Sequence, residues 1–261
     1  EIMKIILCVK QVPDTQDIKW TENNTMQREG VESIINPYDI YACELALTLK
    51  KEYNASITAI SMGPNQAQEA LRKLIDLGVD NAVLVCDKKF AGSDTFATGT
   101  TLAASIKKIE PDFDLIICGQ FAIDGDTAQT GPCTAGLLNI PQVTYVKNIK
   151  NIQESAITLL RELEDGEETV ISKFPSLLSV TKADFEPSRP LINGIIKAQN
   201  AKIKTLTFED LDLNIENVGI KGSPTYVSKA FKPEIKHACK KYFENGADVV
   251  LNKINEVMTN E

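Results

Sequence analysis

The sequence predicts an α/β protein: a parallel sheet with helices on both faces, an antiparallel extension, and a C-terminal helical arm. Three observations carry this. Short, nearly continuous apolar runs alternate with helix-period segments through the first half of the chain. Strand-like segments then follow one another without intervening helices. Finally, Gly and Pro interrupt the C-terminal part before a last helical stretch.

The strand candidates in the first half are Lys4–Val9 (KIILCV), Ser56–Met62 (SITAISM), Asn81–Cys86 (NAVLVC) and Phe113–Gly119 (FDLIICG). Runs this short and this rich in Ile, Val and Leu read as strands buried on both faces, the signature of a parallel sheet. Between them, Tyr38–Tyr53 places Cys43, Ala46 and Leu47 at i, i+3, i+4. Gln66–Leu77 repeats that spacing with Ala67, Ala70, Leu71, Leu74 and Ile75, and Gly78 is suited to end the helix. Thr98–Ile109 is a third helix. From about Val143, the segments Thr144–Ile149, Ala156–Leu163 and Glu167–Phe174 read as strands, with Glu164-Asp165-Gly166 as a hairpin turn. Pro187, Pro190 and Gly194 break the next stretch, and Ile195–Ala201 reads as a short helix. The division expected is an α/β domain over 3–218 and an arm over 219–261. Gly222, Pro224 and Pro233 interrupt the arm, whose final helix covers Pro233–Met258 with a break near Gly246.

With 261 residues, 43% of them hydrophobic, the chain can bury the core of one large domain. The net charge of -8 argues against a general nucleic-acid role, which needs clustered Lys and Arg. No run approaches the roughly 18 apolar residues of a membrane span. Met3 leads straight into strand-like sequence with no signal-peptide core, so a cytoplasmic location is expected. Cys8, Cys43, Cys86, Cys118, Cys133 and Cys239 are scattered with no CxxC pair, which argues against a disulfide framework or a zinc site. His237, the only histidine, has no Ser, Cys or carboxylate motif beside it and reads as a surface residue. No catalytic acid or base is expected, and no metal.

In a parallel sheet the ligand sits beyond the carboxyl ends of the strands, at the switch point. Four segments lie at such positions. Cys8-Val9-Lys10-Gln11-Val12-Pro13-Asp14-Thr15 follows the first strand and is equally an ordinary strand-to-loop exit. Asn36-Pro37-Tyr38-Asp39 is fully explained as a helix start with an Asn cap, Pro at the first position and an acid in the first turn. Ser61-Met62-Gly63-Pro64 ends the second strand, where Gly admits a close approach and Pro opens a helix. The most informative segment runs from Gly119-Gln120-Phe121-Ala122-Ile123 through Asp124-Gly125-Asp126-Thr127-Ala128-Gln129 to Thr130-Gly131-Pro132. It can turn backbone N–H groups toward a phosphate beside a helix N-terminus, which Pro132 places late in the loop. It fits neither GxxxxGK[ST] nor GxGxxG, and its acids leave phosphate binding to the backbone while they meet ribose hydroxyls or cap N–H groups.

Together VKQVPDT, NPYD, SMGP and GQFAIDGDTAQTGPCTAGLL resemble the beta subunits of electron-transfer flavoproteins. LLRELEDGEETVISKFPSLLSV and SRPLINGIIKA resemble that family's second signature block, in the same order from Met3 to about Ala201. The resemblance implies a Rossmann-like, adenine-nucleotide hydrolase-like fold, a 3–218 domain that binds a nucleotide, and an arm that packs on a larger alpha subunit carrying FAD. In the respiratory branch the beta-subunit nucleotide is a structural AMP. In the electron-bifurcating branch it is a second FAD that takes hydride from NADH and splits electrons between a low-potential acceptor such as ferredoxin and, through the alpha-subunit FAD, an acyl-CoA-dehydrogenase-like partner. Asp124-Gly125-Asp126-Thr127-Ala128-Gln129 and Val12-Pro13-Asp14-Thr15 resemble the bifurcating branch, the respiratory loop reading more like DDDCNQTG.

Carried over by position, cofactor contacts come from Cys8, Val9 and Lys10, from Asn36, Pro37, Tyr38 and Asp39, and from Met62 and Gly63. The rest come from the loop: Gly119, Gln120, Asp124, Gly125, Asp126, Thr127, Ala128, Gln129, Thr130, Gly131, Pro132 and Thr134. Pro187–Ala198 corresponds to the loop that docks a partner dehydrogenase, with Leu191, Ile192 and Ile195 as apolar contacts and Ile192 as the anchor. Without the resemblance, Ile192 reads as a buried core residue. Lys197-Ala198-Gln199-Asn200 lacks the family's usual lysines there. The competitor from another class is an ATP-binding universal-stress-like protein. An ATP pyrophosphatase is disfavoured because no SGGxDS loop is present.

Overall fold

In the computed structural model, the structure describes residues 2–14, 19–20, 26–27, 33–182, 187–190, 192–228 and 246–258. The chain falls into two units, Glu1–Ser228 and Lys229–Glu261.

The first unit opens with β1 (Lys4–Cys8) and β2 (Gln11–Pro13), followed by β3 (Lys19–Trp20), β4 (Met26–Gln27) and β5 (Ser33–Ile35). Then come α1 (Pro37–Tyr53), β6 (Ser56–Met62), α2 (Gln68–Leu77), β7 (Asn81–Val85), α3 (Thr95–Ile109), β8 (Leu115–Gly119) and α4 (Thr130–Leu138). The rest of the unit is β9 (Gln142–Gln153), β10 (Ala156–Leu163), β11 (Gly166–Lys173), β12 (Ser176–Val180), α5 (Ile192–Asn200) and β13 (Lys204–Leu206).

One nine-stranded sheet runs β11-β10-β9-β12-β8-β1-β6-β7-β13. It is parallel from β9 to β13. The apolar runs explain its centre: Ile5, Ile6, Leu7, Ile57, Ile60, Leu115, Ile116 and Ile117 are all buried, because helices cover both faces. On one face lies a core built with α1, α2 and Ala198 of α5. On the other lies a core built with α3 and α4. The fold class is as expected.

The expected antiparallel extension is present as β9, β10 and β11. It is half-covered, with Ile171 on the outermost strand 70% exposed. Tyr145, at φ 59°, lies where β9 slips register against β12. A left-handed residue at a bulge bends the strand. The short β2 to β5 were not expected, and neither were two strands of the large sheet. All five residues of β12 are buried, and it inserts between β9 and β8, returning the chain to the parallel sheet. Its Ser176 and Ser179 and the preceding Pro175 hide it in the sequence. β13 is short and forms a sheet edge. Helix bounds also shift. α3 begins at Thr95, where Asp94 caps it, rather than at Thr98, and α5 begins at Ile192 rather than Ile195. Gly78, at φ 121°, ends α2 as expected.

Asp94 illustrates how the C-terminal stretch is tied down. Its Oδ1 accepts the N–H groups of Phe96 and Ala97, and its Oδ2 accepts the N–H and hydroxyl of Thr225. Partial burial pulls this carboxyl up, but the Ala97, Thr225 and Phe96 donors together hold it below its ordinary value. A depressed folded value means the stabilisation is present above the ordinary carboxylate range and lost as pH falls through the folded value. Asp94→Ala is therefore expected to cost about 1–2 kcal/mol at neutral pH, the worth of a lost cap. Urea titrations should show that cost shrinking in acid.

The second unit holds α6 (Gly246–Met258), the described part of the helix expected over Pro233–Met258. It carries Val250, Leu251 and Ile254, all exposed. Among the described residues, no helix is long and apolar enough to cross a membrane.

Candidate functional site

From β1 the chain builds outward through β6 and β7, with α1 and α2 on one face, and then returns across the sheet to β8 on the other side of β1. The loops leaving β1 and β8 thus diverge to opposite faces. A crevice at such a switch point is where this architecture binds ligands.

The N-terminus of α1 closes the floor of that crevice. Asn36 stands at the N-cap position and Pro37 at the first turn, as expected, but the Asn36 side chain makes no cap hydrogen bond. It is buried, its Nδ2 donates to the Phe121 carbonyl at 2.8 Å, and its Oδ1 accepts the Ile123 N–H at 3.2 Å. Asparagine is needed because both an acceptor and a donor are used, and they pin the loop that follows β8. Asp39, 5% exposed, acts likewise on the strands. Its Oδ2 accepts the Lys10 N–H at 2.7 Å and its Oδ1 accepts the Gly119 N–H at 3.0 Å, so one carboxyl joins the ends of β1 and β8. Burial pushes this carboxyl up to about 7, against the lowering effect of the Lys10 N–H, Asn36 and the Gly119 N–H. Gly119 permits the contact: a Cβ there would lie 2.6 Å from the Tyr38 carbonyl carbon and 2.8 Å from the Asp39 nitrogen. The Tyr38 ring lies 4.3 Å from that of Phe121, giving the loop an apolar seat.

Lys10 and Asp124 form an ion pair, Nζ to the two carboxylate oxygens at 2.7 and 2.8 Å. The lysine side chain is 48% exposed and the aspartate 6%. Asp124 is therefore neutralised by the chain itself, which removes a like-charge obstacle to an anion nearby. Beyond it, the Ala122 carbonyl accepts the N–H groups of Gly125 and Asp126, and Asp126 and Ala128 are left-handed at φ 56° and 53°. Short loops that alternate handedness form anion-binding concavities. Among the described residues, no acceptor takes the N–H groups of Thr127, Ala128, Gln129, Thr130 or Gly131. α4 begins at Thr130, late in the loop as Pro132 suggests. A Cβ on Gly131 would lie 2.9 Å from Cys118 Sγ, so glycine lets the helix start rest on β8. Thr134 is buried and donates to the Thr130 carbonyl at 2.7 Å, one turn further into the helix.

The remaining predicted residues lie at the carboxyl ends of the same central strands. The Val9 N–H donates to Ile60, the Gly63 N–H to Val85 and the Gln120 N–H to Val180. Cys8 sits opposite Cys118 on β8. Burial, with nearby Asp39, pushes the Cys8 thiol up to about 12, so it is a neutral packing group. Met62 and Gly63 lie across β1 from β8, and among the described residues no side-chain hydrogen bond joins them to the loop. Sequence reading missed the Lys10–Asp124 pair and the Tyr38–Phe121 contact. Opposite charges and paired aromatics in separate motif segments were the available signals. Among the described residues the arrangement offers fixed backbone donors beside a helix N-terminus, and such a run of N–H groups can hold an anionic group such as a phosphate.

A second surface lies on α5. Ile192 is 77% exposed, and Ile195 and Ile196 are exposed beside it, so the alternative of a buried Ile192 is excluded. Pro187–Pro190 are exposed as well, and Leu191 lies outside the described residues. The helix is seated through Gly194, where a Cβ would overlap the Asp76 carbonyl, and through Arg72, which donates to the carbonyls of Ala198 and Ala201 at 2.8 and 3.0 Å.

Residues 23–211 match the family described as "Electron transfer flavoprotein domain". The chain is 43% identical over 258 residues to the electron transfer flavoprotein subunit beta of Clostridium acetobutylicum, covering 97% of this chain and 98% of that one. It is 44% identical over 238 residues to the corresponding subunit of Megasphaera elsdenii, covering 88% of each chain. With the caffeyl-CoA reductase-Etf complex subunit CarD of Acetobacterium woodii it shares 43% identity over 236 residues, covering 90% of this chain and 89% of that one.

Proposed function

Since the chain belongs to the electron transfer flavoprotein family, as a beta subunit, we propose that it binds FAD in the β1/β8 crevice and acts as the bifurcating kind of subunit in a heterodimer with an alpha subunit. The observation that carries this is the run of N–H groups from Thr127 to Gly131 that meet no acceptor among the described residues, on a loop held by Asn36, Asp39 and Lys10. When bound, FAD would supply hydride acceptance from NADH and one-electron transfer, to a low-potential acceptor of ferredoxin type and, through the alpha-subunit FAD, to a partner dehydrogenase. The chain's own part is to bind and orient. The N–H run would hold the diphosphate, Gly125 leaves open space beside it, and the Lys10 ammonium balances the charge of Asp124.

The similarity to a subunit named for a caffeyl-CoA reductase complex supports a partner that acts on CoA esters, of the acyl-CoA-dehydrogenase kind. The exposed Ile192 and Ile195 on α5 would dock it, and the apolar residues of α6 would pack on the alpha subunit. A cytoplasmic location belongs to the same reading. The alternative is a structural AMP in the crevice. A monophosphate would use fewer of the donors and leave the space at Gly125 empty.

The deciding experiment extracts nucleotides from the purified heterodimer. Two FAD and no AMP per dimer are expected. One FAD with one AMP would make this chain a structural nucleotide binder.

A further inference from the structure

The exposed isoleucines of α5 need a fixed platform if they are to dock a partner, and one buried carboxylate supplies a hold on the segment that leads into that helix. Glu44, in the third turn of α1, is buried, yet its carboxylate reaches a surface segment far along the chain. Its Oε1 accepts the Ser188 N–H at 2.6 Å, and its Oε2 accepts the Ser188 hydroxyl at 2.7 Å. Ser188 lies between Pro187 and Pro190, in an exposed stretch just before α5. The proline residues donate no backbone N–H of their own.

The other end of α5 is held by different groups. Arg72 takes the Ala198 and Ala201 carbonyls, and Lys197 Nζ donates to the Val79 carbonyl at 3.2 Å. In the middle, Gly194 lies against the Asp76 backbone so closely that no side chain fits. The helix is thus fixed at its middle and its far end by α2 and the residues after it. Ser188 ties down the entry side, and α1 is what it is tied to. The same helix uses Asn36 and Asp39 to hold the crevice loops. One rigid element therefore supports both surfaces.

We infer that Glu44 is a positioning residue for partner docking: through Ser188 it fixes the proline segment and the start of α5, so that Ile192 and its neighbours meet the partner without first being ordered. Ordering a loop on binding costs affinity, and preorganisation removes that cost. Glu44 touches neither nucleotide nor partner in this role. The inference rests on the docking reading of α5 given above.

The test uses the complete heterodimer, with a purified bacterial short-chain acyl-CoA dehydrogenase as docking probe. Electron transfer is measured as a function of probe concentration for the parent, Glu44→Ala, Glu44→Gln, Ser188→Ala and Ile192→Ala. Amide hydrogen exchange is followed at residues 187–198. Glu44→Ala is expected to raise the KM for the probe about tenfold, the loss typical of a removed contact worth over 1 kcal/mol. kcat and flavin content should not change, and exchange at Ser188 should quicken. Glu44→Gln, which keeps an acceptor, should recover part of the loss. Ser188→Ala should act in the same direction and add little to Glu44→Ala, because the two groups form one contact.

Ile192→Ala separates the two ideas. Weaker docking in Ile192→Ala with a parent-like KM in the Glu44 and Ser188 variants would overturn the role of Glu44 alone. A parent-like KM in Ile192→Ala as well would overturn the docking reading on which it rests. Loss of flavin or of the folded heterodimer in Glu44→Ala, with a parent-like KM in Ser188→Ala and Glu44→Gln, would show Glu44 to be a core residue only and would overturn the proposal.

Discussion

Replacing Asp39 with alanine is expected to empty the crevice and loosen the centre of the sheet. The carboxyl accepts the N–H groups of Lys10 and Gly119, and alanine leaves both donors without that acceptor where burial limits rescue by water. Each such orphan costs about 1–3 kcal/mol, so the variant should lose roughly 2–6 kcal/mol in chemical denaturation. The heterodimer should be purified with its beta-site nucleotide largely missing. Asp39→Asn should fall between, since its amide presents one acceptor and turns a donor toward the other N–H. The pH dependence gives a sharper signature. The folded carboxyl titrates at about 7, above its unfolded value of 3.8. Between those values the folded state holds a proton that the unfolded state has released, so this group's contribution to stability falls as pH rises through that window. Asp39→Asn should flatten that decline. A parent-like slope in Asp39→Asn would show that the carboxyl does not titrate as described.

The second large effect is expected at Gly119. An alanine Cβ would press on the Tyr38 carbonyl carbon and the Asp39 nitrogen, which are backbone atoms and cannot swing aside. Overpacking of this kind costs about 1–3 kcal/mol, and it pushes β8 away from the start of α1, which carries Asp39. Gly119→Ala should therefore lose both stability and bound nucleotide. Gly125→Ala is its counterpart, because a Cβ there meets nothing within 4 Å. Its stability should stay within about 0.5 kcal/mol of the parent. Its FAD content should fall all the same, since the added methyl enters the space assigned to the ligand. Parent-like FAD content in Gly125→Ala would refute the placement of the cofactor beside Gly125.

The sequence made the parallel core legible because burial on both faces leaves continuous apolar runs, as in KIILCV and SITAISM. It left β12 obscure for a physical reason: a strand of five residues with two serines carries too little periodicity to stand out. The four crevice segments were legible as a set, since each follows a strand end. The work done inside them was not. Asn36 read as a cap, but its side chain is drawn to the loop after β8, because the fold brings Phe121 and Ile123 within reach. Asp39 read as an acid favouring a helix dipole, and only the parallel pairing of β1 with β8 reveals the N–H groups it accepts. Glu44 gave no signal, because its partner lies 144 positions away in sequence.

The position of β12 has a consequence for how the protein is made. β8 is flanked on one side by β1, which has already left the ribosome, and on the other by β12, which appears only after the entire β9–β11 meander. Until then β8 offers an open edge to any neighbouring strand. The Gln120 N–H, at the start of the crevice loop, bonds to the Val180 carbonyl at the end of β12. A nascent chain stopped before that point has synthesised nearly every residue of the crevice but cannot fix the loop's first bond. Cofactor loading therefore belongs late in biogenesis, after the meander has folded back, and truncated chains are candidates for edge-to-edge aggregation before they can take up a ligand.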